Sequence, residues 1–279
     1  MVIQKKMLTL QISVICWNLL YKTMKNITLI SDWKLRDPYV AMLKGQLWKA
    51  IPDANIIDIT HAIDAFSIEQ TAFILKSSYK SFPDHTLHFI LTGITLSHTS
   101  MPVMVEYDQH YFIGEDRGVF SLMFGDDPNV KAVALNMPDE KTTVLDKCVS
   151  MAQLHFSNNL KDNILPYDTF IRKIKLEPEH DTVNRIITGH VAYIDTCCNA
   201  VTDIPVKMFK DAVKKGNFSL MLSSTKHITI THFQEFYNPK EEEVYVLSNR
   251  LGYMEVALNN SRIAVLADLH IGDKVEIRY

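Results

Sequence analysis

A carboxylate placed where a strand hands over to a helix is the first chemical signal in this chain. Ile27, Leu29 and Ile30 belong to an apolar run, and Ser31, Asp32, Arg36 and Asp37 crowd the turn before a helix that starts near Pro38. Open α/β sheets bind ligands at the carboxyl ends of their strands. A carboxylate there can accept two hydrogen bonds from a sugar diol, which makes Asp32 the leading binding candidate; the alternative is that Asp32 or Asp37 simply caps the helix. His98 and His88, with Thr92 and Thr95 as hydrogen-bonding partners, are the candidates for a general base, because a neutral imidazole titrates at about pH 6.5. His85 and His88, or His227 and His232, lack the helical i, i+4 spacing and acidic partner of a zinc protease. No metal is expected. The four cysteines, Cys16, Cys148, Cys197 and Cys198, have neither zinc-site nor disulfide spacing, and adjacent cysteines bridge only with strain.

The elements that must hold these groups fall into two kinds. Strand-like runs at Ile27–Ile30, Asn55–Ile59, Leu87–Leu91 and Val130–Leu135 alternate with helical patterns at Tyr39–Ala50 and Ile68–Phe82, the βαβ signature of a largely parallel sheet. Val103–Glu106 and Tyr111–Ile113, joined through Asp108 and Gln109, read as an antiparallel hairpin set into that pattern, and Cys148–Phe156 as a further helix. After the polar stretch Ser157–Asp168, short β-rich runs dominate: Phe170–Leu176, Gly189–Ile194, Ser219–Leu222, His227–Ile230, Glu243–Leu247, Tyr253–Ala257 and Lys274–Arg278. With few helices between them, they indicate a compact β-barrel or sandwich, with an antiparallel barrel as the expected form. The expected organisation is an extension at 1–23, an α/β domain at 24–160, a linker at 161–169 and a barrel domain at 170–279.

Composition narrows the function. The 279 residues carry a net charge of −3 with 22% charged and 47% hydrophobic residues, an ordinary globular mixture without the basic stripe that nucleic acid requires. The cysteine usage points to a reducing cytoplasm. Gln4-Lys5-Lys6 precedes an apolar stretch from Met7 to Leu20, but that stretch lacks a small-residue cleavage site and falls short of the roughly 20 residues that cross a bilayer. Residues 1–23 are expected to be a disordered extension or the product of an upstream start codon, with no membrane partner.

The segments Ser31 to Val40, Met42 to Gly45 and Ile57-Asp58-Ile59-Thr60-His61 resemble the opening of the S-adenosylmethionine hydroxide adenosyltransferase family, hydrolases of S-adenosylmethionine related to the fluorinase and chlorinase. Similarity continues through His110 to Gly118, through Ile194-Asp195, Asn199 and Thr202, and through Gly252 to Asn259. The resemblance implies that Asp32 binds ribose and that Phe66, otherwise a core residue, lies beside the sugar and sulfur. It implies that Asp195 and Asn199 lie near the methionine part of the ligand, and that Asn249, Arg250, Leu258 and Asn260 belong to a strand region that receives adenine. It also implies a homotrimer with the ligand between neighbouring subunits, and no cofactor, because a sulfonium is already a good leaving group.

The chain departs from the family in two places. Cys197-Cys198 stand where relatives carry a Phe-Gly pair, which places the conformation of that loop in question. The Asp, Arg and His that handle water in the hydrolases are also missing: Leu91 to Pro102 replaces the segment with the aspartate and arginine, and Thr142 to Lys147 replaces the one with the histidine. Three functions follow from the resemblance: cleavage of S-adenosylmethionine to adenosine and L-methionine by water or hydroxide at C5′, with His98 as a replacement base; an inactive adenosyl-ligand-binding protein; or a halide-dependent adenosyltransferase using the hydroxyls of Thr92, Thr95 and Thr143.

Overall fold

A computed structural model describes residues 24–94, 100–136, 142–173, 177–214, 216–223, 225–235 and 243–279. Of the candidates named from sequence, His98, Thr95 and the extension 1–23 lie outside the described residues. The chain divides into two units, Met1–Lys173 and Ile174–Tyr279.

In the first unit the elements run β1 (Lys25–Ile30), α1 (Tyr39–Ala50), β2 (Ala54–Thr60), α2 (Ile68–Ser78), β3 (Leu87–Ile90), β4 (Pro102–Tyr107), β5 (His110–Glu115), α3 (Val119–Phe124), β6 (Lys131–Leu135), α4 (Val144–Phe156) and β7 (Ile164–Pro166). Their sheet has the order β2-β1-β3-β5-β4-β6-β7. It is parallel from β2 to β5 and antiparallel through β4, β6 and β7. Alternation along the strands explains the layering. Ile27, Leu29, Leu87 and Phe89 pack with Leu43 and Leu47 of α1 and Met151 and Ala152 of α4. Ile30, Ile90, Val105 and Phe112 pack on the other face with Ile68, Ala72 and Leu75 of α2 and Phe120 of α3.

Local chemistry sets the joints. Asp108 and Gln109, with φ of 49° and 62°, form the two-residue turn of the β4–β5 hairpin, both in the left-handed region that such a turn requires. Helix α4 begins at Val144 rather than Cys148, because Thr143 caps it: its Oγ1 accepts from Asp146 N at 3.2 Å, a capping arrangement that the apolar pattern alone does not reveal. Residues 161–169 stay with the first unit, where β7 pairs with β6. Residues 170–173, expected to open a strand, are not in one.

The second unit comprises β8 (Glu179–Asp181), β9 (Ile186–Ile194), β10 (Ala200–Pro205), α5 (Val206–Val213), β11 (Ser219–Leu222), β12 (Thr225–Ile230), β13 (Phe233–Gln234), β14 (Val244–Ser248), β15 (Tyr253–Leu258), α6 (Ile263–Leu266) and β16 (Lys274–Arg278). The antiparallel barrel expected from sequence is met in part, by one mixed and mostly antiparallel sheet. The sheet order is β12-β11-β16-β9-β10-β15-β14-β13, with β8 beside β9, and β13 pairs with β14 in parallel. The result, among the described residues, is a curled, mixed half-barrel. Its core, including Ile187, Val191, Ile204, Phe209, Val246, Met254 and Val275, fills the concave side with help from α5.

Candidate functional site

Asp32 sits at the end of β1, beyond a residue that anchors the turn. Ser31 is fully buried; its N–H donates to the Thr60 carbonyl at 3.0 Å and its Oγ lies 2.7 Å from His61 Nδ1. His61 Nε2 faces Asp58 Oδ1 at 3.2 Å, and Lys44 reaches the other oxygen of Asp58 at 2.7 Å. This chain of polar contacts, drawn from three consecutive elements, fixes the backbone on which Asp32 is presented.

Asp32 is not a helix cap. Among the described residues no side chain caps α1, whose first turn follows Pro38. One oxygen of the carboxylate, Oδ2, instead accepts from Phe66 N at 2.8 Å and from Gly93 N at 3.1 Å. The loops after β2 and β3 are thereby drawn to the tip of β1, where a parallel sheet gathers its ligand-binding groups.

Phe66 is not a core residue either. It is 73% exposed with φ of 64°, a left-handed conformation that costs a bulky residue on the order of 1–2 kcal/mol. Such strain concentrates at functional sites. A Cβ added to Gly93 would stand 3.5 Å from Phe66 Cδ1 and 3.4 Å from Arg117 Nε, so the ring, the glycine and the guanidinium converge beside Asp32.

Thr92 lies next to this cluster but is buried, its hydroxyl 2.7 Å from that of Thr71 in α2. Thr143 is committed to the start of α4, with its hydroxyl donating to Asp146 Oδ2 at 2.7 Å. Of the three hydroxyls considered for a halide, two therefore hold helices. His88 is also removed as a candidate base. It is completely buried, with Nδ1 at 2.7 Å from Thr28 Oγ1 and Nε2 at 3.1 Å from His110 Nδ1. Burial, reinforced by His110, lowers its pKa to about 3. Position 88 points to the α2 face because strand alternation sets it opposite Leu87 and Phe89.

Sequence reasoning misses Arg117, although its segment belongs to the resemblance. The turn that carries it is fastened by Asp116, which accepts from Gly118 N at 2.9 Å, Tyr167 Oη at 2.9 Å and Ile171 N at 2.8 Å. Gly118, at φ of 99° and pressed against the Lys173 side chain, has no room for a Cβ. Burial and the Asp116 contact push the Tyr167 hydroxyl up to about 12. Arg117 Nη1 lies 3.9 Å from Glu115 Oε2, and Glu115 Oε1 accepts from Ser100 Oγ at 2.8 Å.

In the second unit the β9–β10 turn brings Asp195 and Asn199 together. Asn199 N donates to Asp195 Oδ1 at 2.8 Å and its Nδ2 to Oδ2 at 3.2 Å. Cys198 adopts φ of 61°, the left-handed conformation that glycine takes most readily. Glu255 on β15 joins this polar group: burial and the nearby Asp195 raise its carboxyl pKa, while hydrogen bonds from Asn249 and Asn199 partly offset the rise.

A cavity of about 430 Å³ opens here, lined by Cys197, Asn199, Leu258, Asn260, Ser261 and Arg262 among others. Three of the sequence candidates, Asn199, Leu258 and Asn260, thus share one cavity. Asn249 and Arg250 do not line it. They occupy the turn at the other end of β15, where Asn249 Oδ1 accepts from Leu251 N and Tyr253 N, both at 3.0 Å, and Arg250 is exposed. Asp195 does not line it but bonds Asn199, which does. Among the described residues there is no cluster of His, Cys, Asp and Glu able to hold a metal ion, and no helix is long and apolar enough to cross a membrane.

Comparison with known proteins supplies the context for this geometry. Residues 27–155 match the profile of the SAM hydroxide adenosyltransferase N-terminal domain, and residues 189–276 that of the C-terminal domain. A protein of Methanocaldococcus jannaschii named (R)-S-adenosyl-L-methionine hydrolase is 22% identical over 264 residues, covering 91% of this chain and 95% of that protein. A protein of the same name from Thermus thermophilus is 26% identical over 115 residues, 41% of this chain and 45% of that one. Among solved structures, an uncharacterized conserved protein from Thermotoga maritima superimposes with a TM-score of 0.80 at 20% identity, over 91% of this chain and all of that one. A conserved hypothetical protein from Thermus thermophilus gives 0.67 at 20% identity over the same shares. These two show the fold alone.

Proposed function

The chain belongs to the SAM hydroxide adenosyltransferase family, and from that premise we propose that it binds S-adenosylmethionine and cleaves it to adenosine and L-methionine by attack of water or hydroxide at C5′. On the family pattern Asp32 accepts from the ribose hydroxyls and Phe66 lies against the sugar, while in the second unit Asn199 belongs to the methionine part of the ligand and Leu258 and Asn260 to the region that receives adenine. The cavity these three line is the observation that carries the reading. Residues nominated from separate segments on family resemblance alone, Asn199 in one turn and Leu258 and Asn260 around the end of β15, come together around one hollow of about 430 Å³, a volume suited to part of a nucleoside. The names of the curated relatives support the same substrate. The reaction asks little beyond positioning, because the sulfonium leaves readily once a nucleophile is held in line. The homotrimer and the cytoplasmic setting implied by the resemblance are proposed with it.

A second reading has its own observation. The family's water-handling residues are replaced in this chain, and His88 is sealed inside the sheet, so a protein that holds an adenosyl ligand without cleaving it is the alternative. One experiment separates the two. Full-length protein is mixed at stoichiometric concentration with S-adenosylmethionine and the small molecules are followed by mass spectrometry. Adenosine and methionine, lost on Asp32→Ala, establish cleavage. Intact S-adenosylmethionine that stays with the protein through desalting establishes the binding protein.

A further inference from the structure

We propose that Arg117 is a positioning residue of the Asp32 cluster: its side chain, held by Glu115, lies over Gly93 and keeps the Gly93 N–H on the ribose carboxylate. The proposal rests on the adenosyl-ligand reading of that cluster. Among the described residues two backbone donors orient the carboxylate, Phe66 N at 2.8 Å and Gly93 N at 3.1 Å, both on Oδ2, and this leaves Oδ1 for the ligand. Both donors sit at positive φ, 64° at Phe66 and 62° at Gly93. Glycine has the most conformational freedom to lose, and a bulky residue in that region is strained. Neither donor stays in place unless its surroundings over-determine it.

The surroundings of Gly93 come from two directions. Its turn is closed by Ile94 N on the Leu91 carbonyl at 3.4 Å, and the preceding Thr92 is anchored in the interior by the Thr71 hydroxyl at 2.7 Å. The remaining cover is Arg117 and Phe66. A Cβ built on Gly93 would stand 3.4 Å from Arg117 Nε, 3.7 Å from Arg117 Cδ and 3.5 Å from Phe66 Cδ1, so both side chains lie within contact range of one point. The stem and the Nε edge of Arg117 are thus laid along the glycine whose N–H Asp32 uses.

Arg117 is in turn held at both ends. The Asp116 contacts to Gly118 N, Tyr167 Oη and Ile171 N fasten the turn that carries it. At its tip Nη1 pairs with Glu115 Oε2 at 3.9 Å, and Glu115, whose side chain is 14% exposed, accepts from Ser100 Oγ at 2.8 Å. An ion pair of that length to a cation 39% exposed contributes little to overall stability. Its effect is local: a long, rotamer-rich side chain that would otherwise sample many positions is kept over Gly93. The parallel order β2-β1-β3-β5 makes this possible, because it sets the strand ends that carry Asp32, Gly93 and Arg117 side by side.

The test compares full-length wild type, Arg117→Ala, Arg117→Lys and Glu115→Gln by calorimetric titration with adenosine, by urea unfolding and by hydrogen exchange at the Gly93 amide. Adenosine is uncharged, so its affinity reads the position of the Asp32 cluster rather than the charge of residue 117. Arg117→Ala is expected to weaken adenosine about tenfold and to speed exchange at Gly93 by a similar factor, with the urea midpoint close to wild type. Arg117→Lys, which keeps an aliphatic stem over the glycine, recovers part of both, and Glu115→Gln, which releases the tip, gives a smaller loss of both. Wild-type affinity in Arg117→Ala overturns the proposal. So does a loss of affinity with Gly93 exchange unchanged, since Arg117 would then act on the ligand or the fold in some other way. Should Arg117→Ala fail to fold, the same two readouts on Arg117→Lys and Glu115→Gln decide. A wild type that does not bind adenosine overturns the underlying ligand reading, while Gly93 exchange still reports on the Arg117 contact, so the two failures are distinguishable.

Discussion

Replacing Asp32 by Asn tests the ribose assignment with the smallest change in shape. In the native protein Oδ2 accepts from Phe66 N at 2.8 Å and Gly93 N at 3.1 Å. An asparagine keeps one oxygen, and only that oxygen can accept from these two donors, so the amide NH₂ is forced to the side that Asp32 offers to the ligand. A ribose hydroxyl that donated to a carboxylate then meets a donor. Hydrogen bonds to charged groups contribute roughly 1.5–3 kcal/mol each, and weakening two of them costs about 3 kcal/mol, or roughly a hundredfold in affinity. The two backbone contacts become neutral, which lowers stability by about 1 kcal/mol and leaves the fold intact. Calorimetric titration with adenosine, beside denaturant unfolding of the same preparations, reads both quantities. A dissociation constant within threefold of wild type, in a variant that unfolds cooperatively, would refute the ribose role of Asp32.

Three further outcomes are expected. Because burial lowers the folded pKa of His88 to about 3, the unfolded chain takes up a proton below about pH 6.5 that the native state refuses. Stability is therefore full above that pH and falls by about 2 kcal/mol by pH 5 from this residue; urea unfolding at pH 7 and 5 should show a smaller difference in His88→Gln, and an unchanged difference contradicts the assignment. Gly114→Ala places a Cβ 2.5 Å from the Ile90 carbonyl oxygen on the neighbouring strand, a backbone clash expected to cost ~3 kcal/mol and to lower the melting temperature by several degrees; an unchanged melting temperature would show that β3 and β5 can separate freely. Leu258→Trp fills the cavity of about 430 Å³ from a half-buried position, so adenosine binding should weaken at least tenfold while Tm stays near wild type, and retained affinity would move the adenine elsewhere.

The first unit is legible in sequence because its information is local. Apolar alternation and helical periodicity specify the order of β1, α1, β2, α2 and β3, and a polar pair between two apolar runs specifies the β4–β5 turn at Asp108 and Gln109. Asp32 is visible for the same reason, since a carboxylate at a strand end is a sequence feature. What tertiary structure decides is every property that depends on residues far apart in the chain. Phe66 reads as core in its segment, yet it is exposed, because Asp32 holds its N–H from 34 residues away. His88 looks available and is sealed, because Thr28 and His110 arrive from the two strands that flank β3. Closure of the second sheet would require its edge strands to pair, and edges carry no local signature; among the described residues β12 and β13 end the order. Arg117 meets Gly93 for the same physical reason: parallel pairing aligns strand ends across connections of many residues, and only the folded sheet makes neighbours of them.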